Sequence, residues 1–189
     1  MDRESLEIAA HVARVFEELG IAYFLGGSAA SSHYGIPRST NDIDLIAAVR
    51  AEDVEGIVAA LTDEFYVEPD VVADAVARGA SFSLIHWEKV IKLDVFIAGS
   101  SRFRAKQLAR AAAGQVLEFT FHIASPEDII LAKLRWYRDG GEVSDRQLED
   151  VLGVITVQAD RLDLDYLRTT ADELGVRDLL ETALANANH

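Results

Sequence analysis

Apolar residues recur at helical spacing from Leu6 through Ile8, Ala9, Val12, Val15, Phe16 and Leu19, and Gly20 stops the run. This predicts a helix over 3–19. A short apolar run, 22–25, reads as a strand. Gly26-Gly27 breaks it, and Ser28-Ala29-Ala30-Ser31-Ser32 starts a short helix that Gly35-Ile36-Pro37 ends. A second strand is expected from Asn41 to Val49. An amphipathic helix follows over 51–61, with Val54, Ile57, Val58 and Leu61 inward, then a short strand at 65–67. A helix over 70–78 is expected with Asp70 as its N-cap.

Residues 81–87 and 90–97 alternate as strands and flank Glu88-Lys89, so they are expected to pair antiparallel across a tight turn. In the second strand Ile91, Leu93, Val95 and Ile97 share one face, and Lys92, Asp94 and Phe96 the other. The run 100–113 reads as a helix with Phe103 and Leu108 inward, and 115–123 as one strand or a small hairpin. Ser125-Pro126-Glu127-Asp128 is a helix start, with Ser at the cap, Pro in the first helical position and acids in the first turn. Helices over 129–137, 144–157, 164–174 and 176–184 complete the chain.

The pattern is therefore an α/β (α+β) core over 1–124, a small mixed β-sheet flanked by helices, followed by a C-terminal helical subdomain, 125–189, packed on it. The length of 189 residues suits one core with a helical appendage. No uninterrupted apolar stretch is long enough to span a bilayer. The charged N-terminus lacks a leader pattern and there is no Cys, so a cytoplasmic setting without disulfides or thiolate metal sites is expected. The formal net charge is −14. A field of that sign repels nucleic acid and attracts cations. The most basic run, Arg102, Arg104, Lys106 and Arg110, is either a solvated helix face or a local contact for a phosphate-bearing second substrate.

The chemistry concentrates around the first two strands. Gly26 and Gly27 permit backbone angles and close approaches that a side chain blocks. A helix starting directly after them presents N–H groups that attract phosphate. On the second strand Asp42 and Asp44 stand two apart and project from one face. At about 4–5 Å and an effective dielectric near 20, two carboxylates repel by roughly 3–4 kcal/mol. Either they are hydrated acids at a strand end, or a cation turns the repulsion into attraction. Oxygen-only ligands suit Mg²⁺. Asp94, inside an apolar strand, likewise needs a metal, water or a basic partner such as Lys92. Arg146 and Asp150, four apart, fit a surface helix pair.

Gly26-Gly27-Ser28 followed by Arg38-x-Thr40-x-Asp42-x-Asp44 resembles the signature of the polymerase-beta-like nucleotidyltransferase superfamily. The form of the second motif is most similar to that of the abortive-infection toxin-type subgroup. The resemblance is close over about the first two-thirds of the chain. It implies that Asp42, Asp44 and Asp94 are catalytic and hold two Mg²⁺ ions, with Mn²⁺ an alternative. It implies nucleotide binding by Gly26, Gly27, Ser28, Arg38, Thr40 and Lys133, the last on the Ser-Pro-Glu-Asp helix. The expected reaction moves a nucleoside monophosphate from a nucleoside triphosphate to a hydroxyl of a small cationic molecule, a protein or an RNA such as tRNA. A toxin–antitoxin or resistance role, with an antitoxin partner in the first case, is a further implication. The contrasting expectation is a catalytically silent nucleotide-binding or interaction module of the same fold.

Overall fold

A computed structural model describes residues 2–40 and 42–187. The expected strand start at Asn41 lies outside them. The chain divides into two units, one of residues 1–29 and 39–124, the other of residues 30–38 and 125–189. Residues 30–38, expected within the core, thus group with the C-terminal helices.

The first unit is built on a seven-stranded mixed sheet of order β3-β4-β5-β2-β1-β7-β6. Its strands are β1 (Tyr23–Leu25), β2 (Ile43–Ala47), β3 (Phe65–Tyr66), β4 (Ser81–His86), β5 (Lys92–Ile97), β6 (Ala112–Val116) and β7 (Phe119–Ile123). β2 runs antiparallel to β1 and parallel to β5, while β4 returns antiparallel to β5. The alternation read in β2, β4 and β5 sets the burial. Ile43, Leu45, Phe82, Leu84, Leu93 and Val95 are buried almost completely, and the residues between them are not. Of the two readings for 115–123, the hairpin β6–β7 is the observed one.

Helix α1 (Arg3–Glu18) starts at Asp2, whose carboxylate accepts from the Ser5 amide, and buries the apolar stripe from Leu6 to Phe16. Helix α2 (Gly27–Tyr34) begins at the second glycine of the turn, one residue earlier than expected. α3 (Val54–Leu61) directs Ile57 and Leu61 inward. α4 (Pro69–Arg78) starts one residue before its expected boundary. Its cap position is Glu68, not Asp70, because Pro69 takes the first helical position, where its missing N–H costs nothing. β5 begins at Lys92 rather than Val90, since Val90 sits at φ 54 in the connecting turn. α5 (Arg102–Arg110) buries Gln107, while Leu108 is only partly covered.

The second unit contains α6 (Pro126–Asp139), α7 (Asp145–Gln158), α8 (Leu164–Leu174) and α9 (Arg177–Ala187). Ser125 caps α6 as expected and accepts from the Asp128 amide at 3.2 Å. Residues 30–38 belong here for a packing reason. A side chain at Gly35 would meet Val154 N at 2.8 Å and Gly153 C at 2.9 Å, so the backbones touch at a position only glycine allows. The Gln158 amide adds a hydrogen bond to the Tyr34 carbonyl at 2.6 Å. Among the described residues, no helix is long and apolar enough to cross a membrane.

Candidate active site

The site in the first unit starts from one register. β2 and β5 pair in parallel with Asp44 opposite Asp94, Leu45 opposite Val95 and Ile43 opposite Leu93. Register partners on neighbouring strands point to the same side of a sheet. The buried Leu and Val residues take one face, so Asp44 and Asp94 stand side by side on the other. Asp42 lies on the segment just before β2 and is exposed. The buried Thr40 hydroxyl accepts from the Asp42 amide at 3.3 Å and ties this segment down.

The Gly26-Gly27 turn closes on the same strand. The Gly26 amide donates to the Asp44 carbonyl at 2.9 Å. Gly27 has φ +55, and a Cβ there would lie 2.7 Å from Asp44 Cγ, inside the carboxylate group. Glycine is therefore required twice at this position, for its left-handed backbone and for the approach of the Asp44 carboxylate. α2 begins at this residue, so the helix start and the carboxylate meet at one point.

Asp94 is fully engaged. The Ser83 hydroxyl donates to its Oδ1 at 2.5 Å, from the β4 position that faces Asp94 in register. The Lys92 ammonium reaches its Oδ2 at 2.8 Å. Lys92 is held protonated beyond the ordinary lysine range, first by that hydrogen bond and then by the charges of Asp94, Asp42 and Asp44. All three carboxylates thus act on one ammonium group. Among the described residues, no group of three or more acidic or histidine side chains is arranged to hold a metal ion as it stands. Asp44 and Asp94 are brought together, and the cation at Asp94 is a lysine. The partnership of Asp94 with Lys92 is the observed arrangement. The donor set consists of oxygens and already gathers positive charge, which fits a hard divalent cation in chemistry.

The second unit holds a separate charged cluster. Arg38 donates to Asp150 through Nε at 2.8 Å and Nη2 at 3.0 Å, a two-pronged pair. Lys133 Nζ reaches the same carboxylate at 2.7 Å and Gln147 Oε1 at 3.2 Å. The Lys133 and Asp150 side chains are only 7% and 5% exposed. Burial alone would raise the Asp150 pKa, but the hydrogen bonds and charges of Arg38 and Lys133 outweigh it and hold the carboxyl below its ordinary value. Asp150 is therefore not the surface partner of Arg146; a buried carboxylate must be paired, and two cations from elsewhere in the unit pair it. The signal was present in the helix pattern, since Asp150 directly precedes Val151 and lies one helical turn from Val154, both buried. Ser83 was missed as well. It lies on the polar side of an alternating strand, and only the hairpin register shows that it faces Asp94.

The basic run is also partly committed. Arg104 donates through Nη1 to the Ile97 carbonyl at the end of β5, and burial lowers its pKa. Arg102 is exposed.

No family model matches the chain, and no curated protein matches it by sequence. Solved structures do. One is the antibiotic-resistance factor ANT(2'')-Ia, with TM-score 0.55 and 16% identity over 100% of this chain and 97% of that one. A second is an antigenic nucleotidyltransferase-like protein from Paracoccidioides brasiliensis, with TM-score 0.58 and 19% identity over 98% of this chain and 94% of that one. The chain shares the nucleotidyltransferase fold. A further match is the lincosamide antibiotic adenylyltransferase LnuA with lincomycin bound, with TM-score 0.52 and 14% identity over 83% of this chain and 98% of that one. In a nucleotidyltransferase fold with a seven-stranded mixed sheet, the Gly-Gly turn and the carboxylate strands are neighbours through β1 and β2.

Proposed function

We propose that this protein is a Mg²⁺-dependent nucleotidyltransferase. It moves a nucleoside monophosphate from a nucleoside triphosphate to an acceptor hydroxyl. The observation that carries the reading is the Gly27 backbone set against Asp44 while Asp44 stands in register with Asp94. A phosphate-accepting helix start and two carboxylates then share one place, as phosphoryl-transfer chemistry requires. Asp42, Asp44 and Asp94 would hold the metal, in one- or two-ion form and with Mn²⁺ as substitute. Bound there, the metal neutralises the triphosphate and lowers the pKa of the acceptor hydroxyl.

The chain's own residues supply positioning. Gly26, Gly27 and Ser28 offer donors to the triphosphate, and Thr40 braces the carboxylate strand. The acceptor oxygen bonds to the α-phosphorus, the bond to the β-phosphate oxygen breaks, and pyrophosphate leaves with that electron pair. Asp94 would hold the metal nearest the acceptor hydroxyl and so favour loss of that hydroxyl's proton to solvent. Arg38 and Lys133 remain phosphate ligands in this proposal on the strength of their sequence motifs alone; in the structure both bond to Asp150, and Lys133 to Gln147 as well.

The acceptor we favour is a small cationic molecule carrying a hydroxyl. The net charge of −14 suits it, and the engagement of Arg104 with Ile97 weakens the case for an RNA contact on α5. ANT(2'')-Ia and LnuA, of the same fold, are an antibiotic-resistance factor and a lincosamide antibiotic adenylyltransferase, which supports a small-molecule acceptor. A protein hydroxyl or tRNA is the competing acceptor. A toxin–antitoxin role with an antitoxin partner rests on the Arg38-x-Thr40-x-Asp42-x-Asp44 form alone.

The test is incubation with each labelled nucleoside triphosphate, Mg²⁺ and either an aminoglycoside and lincosamide panel, cell protein or tRNA. Labelling of a small molecule that disappears in Asp44→Asn supports the reading. Labelling of tRNA or protein moves the acceptor class, and no labelled product from any of them defeats transfer. The Lys92–Asp94 pair favours one second reading, a silent binding module. That module would show a thermal shift with Mg²⁺-ATP and no product.

A further inference from the structure

Asp94 uses both of its oxygens on residues of the chain, Oδ1 on Ser83 and Oδ2 on Lys92. The two partners differ in kind. Ser83 comes from the neighbouring strand, and its neutral hydroxyl leaves the carboxylate charge unspent. Lys92 brings a full positive charge to the oxygen, from two positions earlier on β5, on the same face as Asp94. Its side chain is 57% exposed, against 23% for Asp94, so the ammonium hangs on a flexible stem at the solvent edge of the site. The fields of Asp42 and Asp44 add to that of Asp94 at this ammonium. Without a cation there, Asp44 and Asp94 would face each other as like charges in register.

Resting on the nucleotidyltransferase reading above, we propose that Lys92 is a displaceable counter-cation, holding the carboxylates together in the metal-free protein and giving up Asp94 when a divalent ion binds. A divalent ion arriving at Oδ2 competes with the ammonium for that oxygen, because the two positive charges repel each other at contact range. Ser83 has no such conflict and keeps its bond to Oδ1. The chain is thus stable with its acidic site empty of metal, at the cost of weakened affinity for metal alone. A triphosphate arriving with the metal changes the balance. It adds negative charge beside the released ammonium, so metal and nucleotide bind better together than either does alone. Lys92 is a positioning residue in this scheme.

The experiment is titration calorimetry with Mn²⁺ alone, on wild type, Lys92→Met, Lys92→Arg and Asp44→Asn, with the metal-free melting temperature of each. Met keeps the length of the stem and removes the charge; Arg keeps the charge. Lys92→Met is expected to bind Mn²⁺ about tenfold more tightly than wild type. It should also melt lower without metal and recover that loss when Mn²⁺ is added. Lys92→Arg is expected to stay near wild type on both counts. Equal or weaker Mn²⁺ binding by Lys92→Met, with binding abolished in Asp44→Asn, overturns the role of Lys92 and leaves the metal-site reading standing. No binding by either wild type or Lys92→Met at millimolar Mn²⁺ overturns the metal site itself and the inference with it.

Discussion

Asp44 on β2 and Asp94 on β5 are register partners on neighbouring parallel strands, and they share the sheet face opposite the buried Leu45 and Val95. Strand spacing puts such carboxylates about 5 Å apart, where repulsion at an effective dielectric near 20 is about 3 kcal/mol before any counter-charge. Asp44→Asn removes that repulsion and a proposed metal ligand together. Transfer is expected to vanish while the melting temperature holds or rises slightly. Turnover and thermal melts on the same preparation check this, and a large fall in melting temperature would show a structural role instead.

Gly27 and Gly79 make a matched pair of substitutions. Both have positive φ, +55 and +62, but an added Cβ at Gly79 meets nothing within 4 Å, whereas at Gly27 it meets Asp44. Gly79→Ala should cost about 1 kcal/mol from backbone strain and leave turnover unchanged. Gly27→Ala should cost more and abolish turnover, because the Asp44 carboxylate must move. Urea unfolding with parallel activity assays separates the two. In the proposed reaction Gly27 would act on the nucleotide site through Asp44, as well as through the room the phosphates need.

Asp150 sets an acid limit on stability. Its pKa in the folded protein lies below the ordinary carboxylate value of 3.8. A carboxylate lowered by folding contributes stability that is present above its unfolded value and lost as pH falls through the folded one. Wild-type melting temperature should therefore drop below about pH 4, and Asp150→Asn should show a shallower drop. At neutral pH the variant leaves Arg38 and the buried Lys133 without their carboxylate, a loss of about 3 kcal/mol. Thermal melts over a pH series read both effects.

Mg²⁺-ATP should stabilise the protein by mass action, about 2.7 kcal/mol at a hundredfold excess over the dissociation constant. Mg²⁺ alone should do much less. The shift should be absent in Asp44→Asn. Thermal shift assays with Mg²⁺, ATP and both together decide it, and a full shift retained in Asp44→Asn would remove Asp44 from the nucleotide site.

Arg102 and Arg104, adjacent in the basic run, should behave differently. Arg104→Ala loses the bond to the Ile97 carbonyl and is expected to cost about 1.5 kcal/mol. Arg102→Ala should be neutral in stability. If RNA is the acceptor, Arg102→Ala should flatten the dependence of binding on salt.

Local pattern alone determined most of the elements. Periodicity marked α1, the alternating faces of β4 and β5, and the Ser125 cap, because neighbours a turn or a pleat apart share a face whatever surrounds them. It also marked Gly26-Gly27 and the acids at 42, 44 and 94. Local pattern could not supply partners. Ser83 faces Asp94 across 11 positions, and Arg38 meets Asp150 across 112. The nearby choice for Asp150, Arg146, lost because Asp150 is buried at the level of Val151 and Val154, and a buried charge takes whichever cations the packing delivers. Tertiary structure likewise decided that Gly27 is a glycine for the sake of a carboxylate, since only the pairing of β1 with β2 brings Asp44 against it. Register and burial are properties of the assembled sheet and helix cluster, and charges settle on their partners only after both exist.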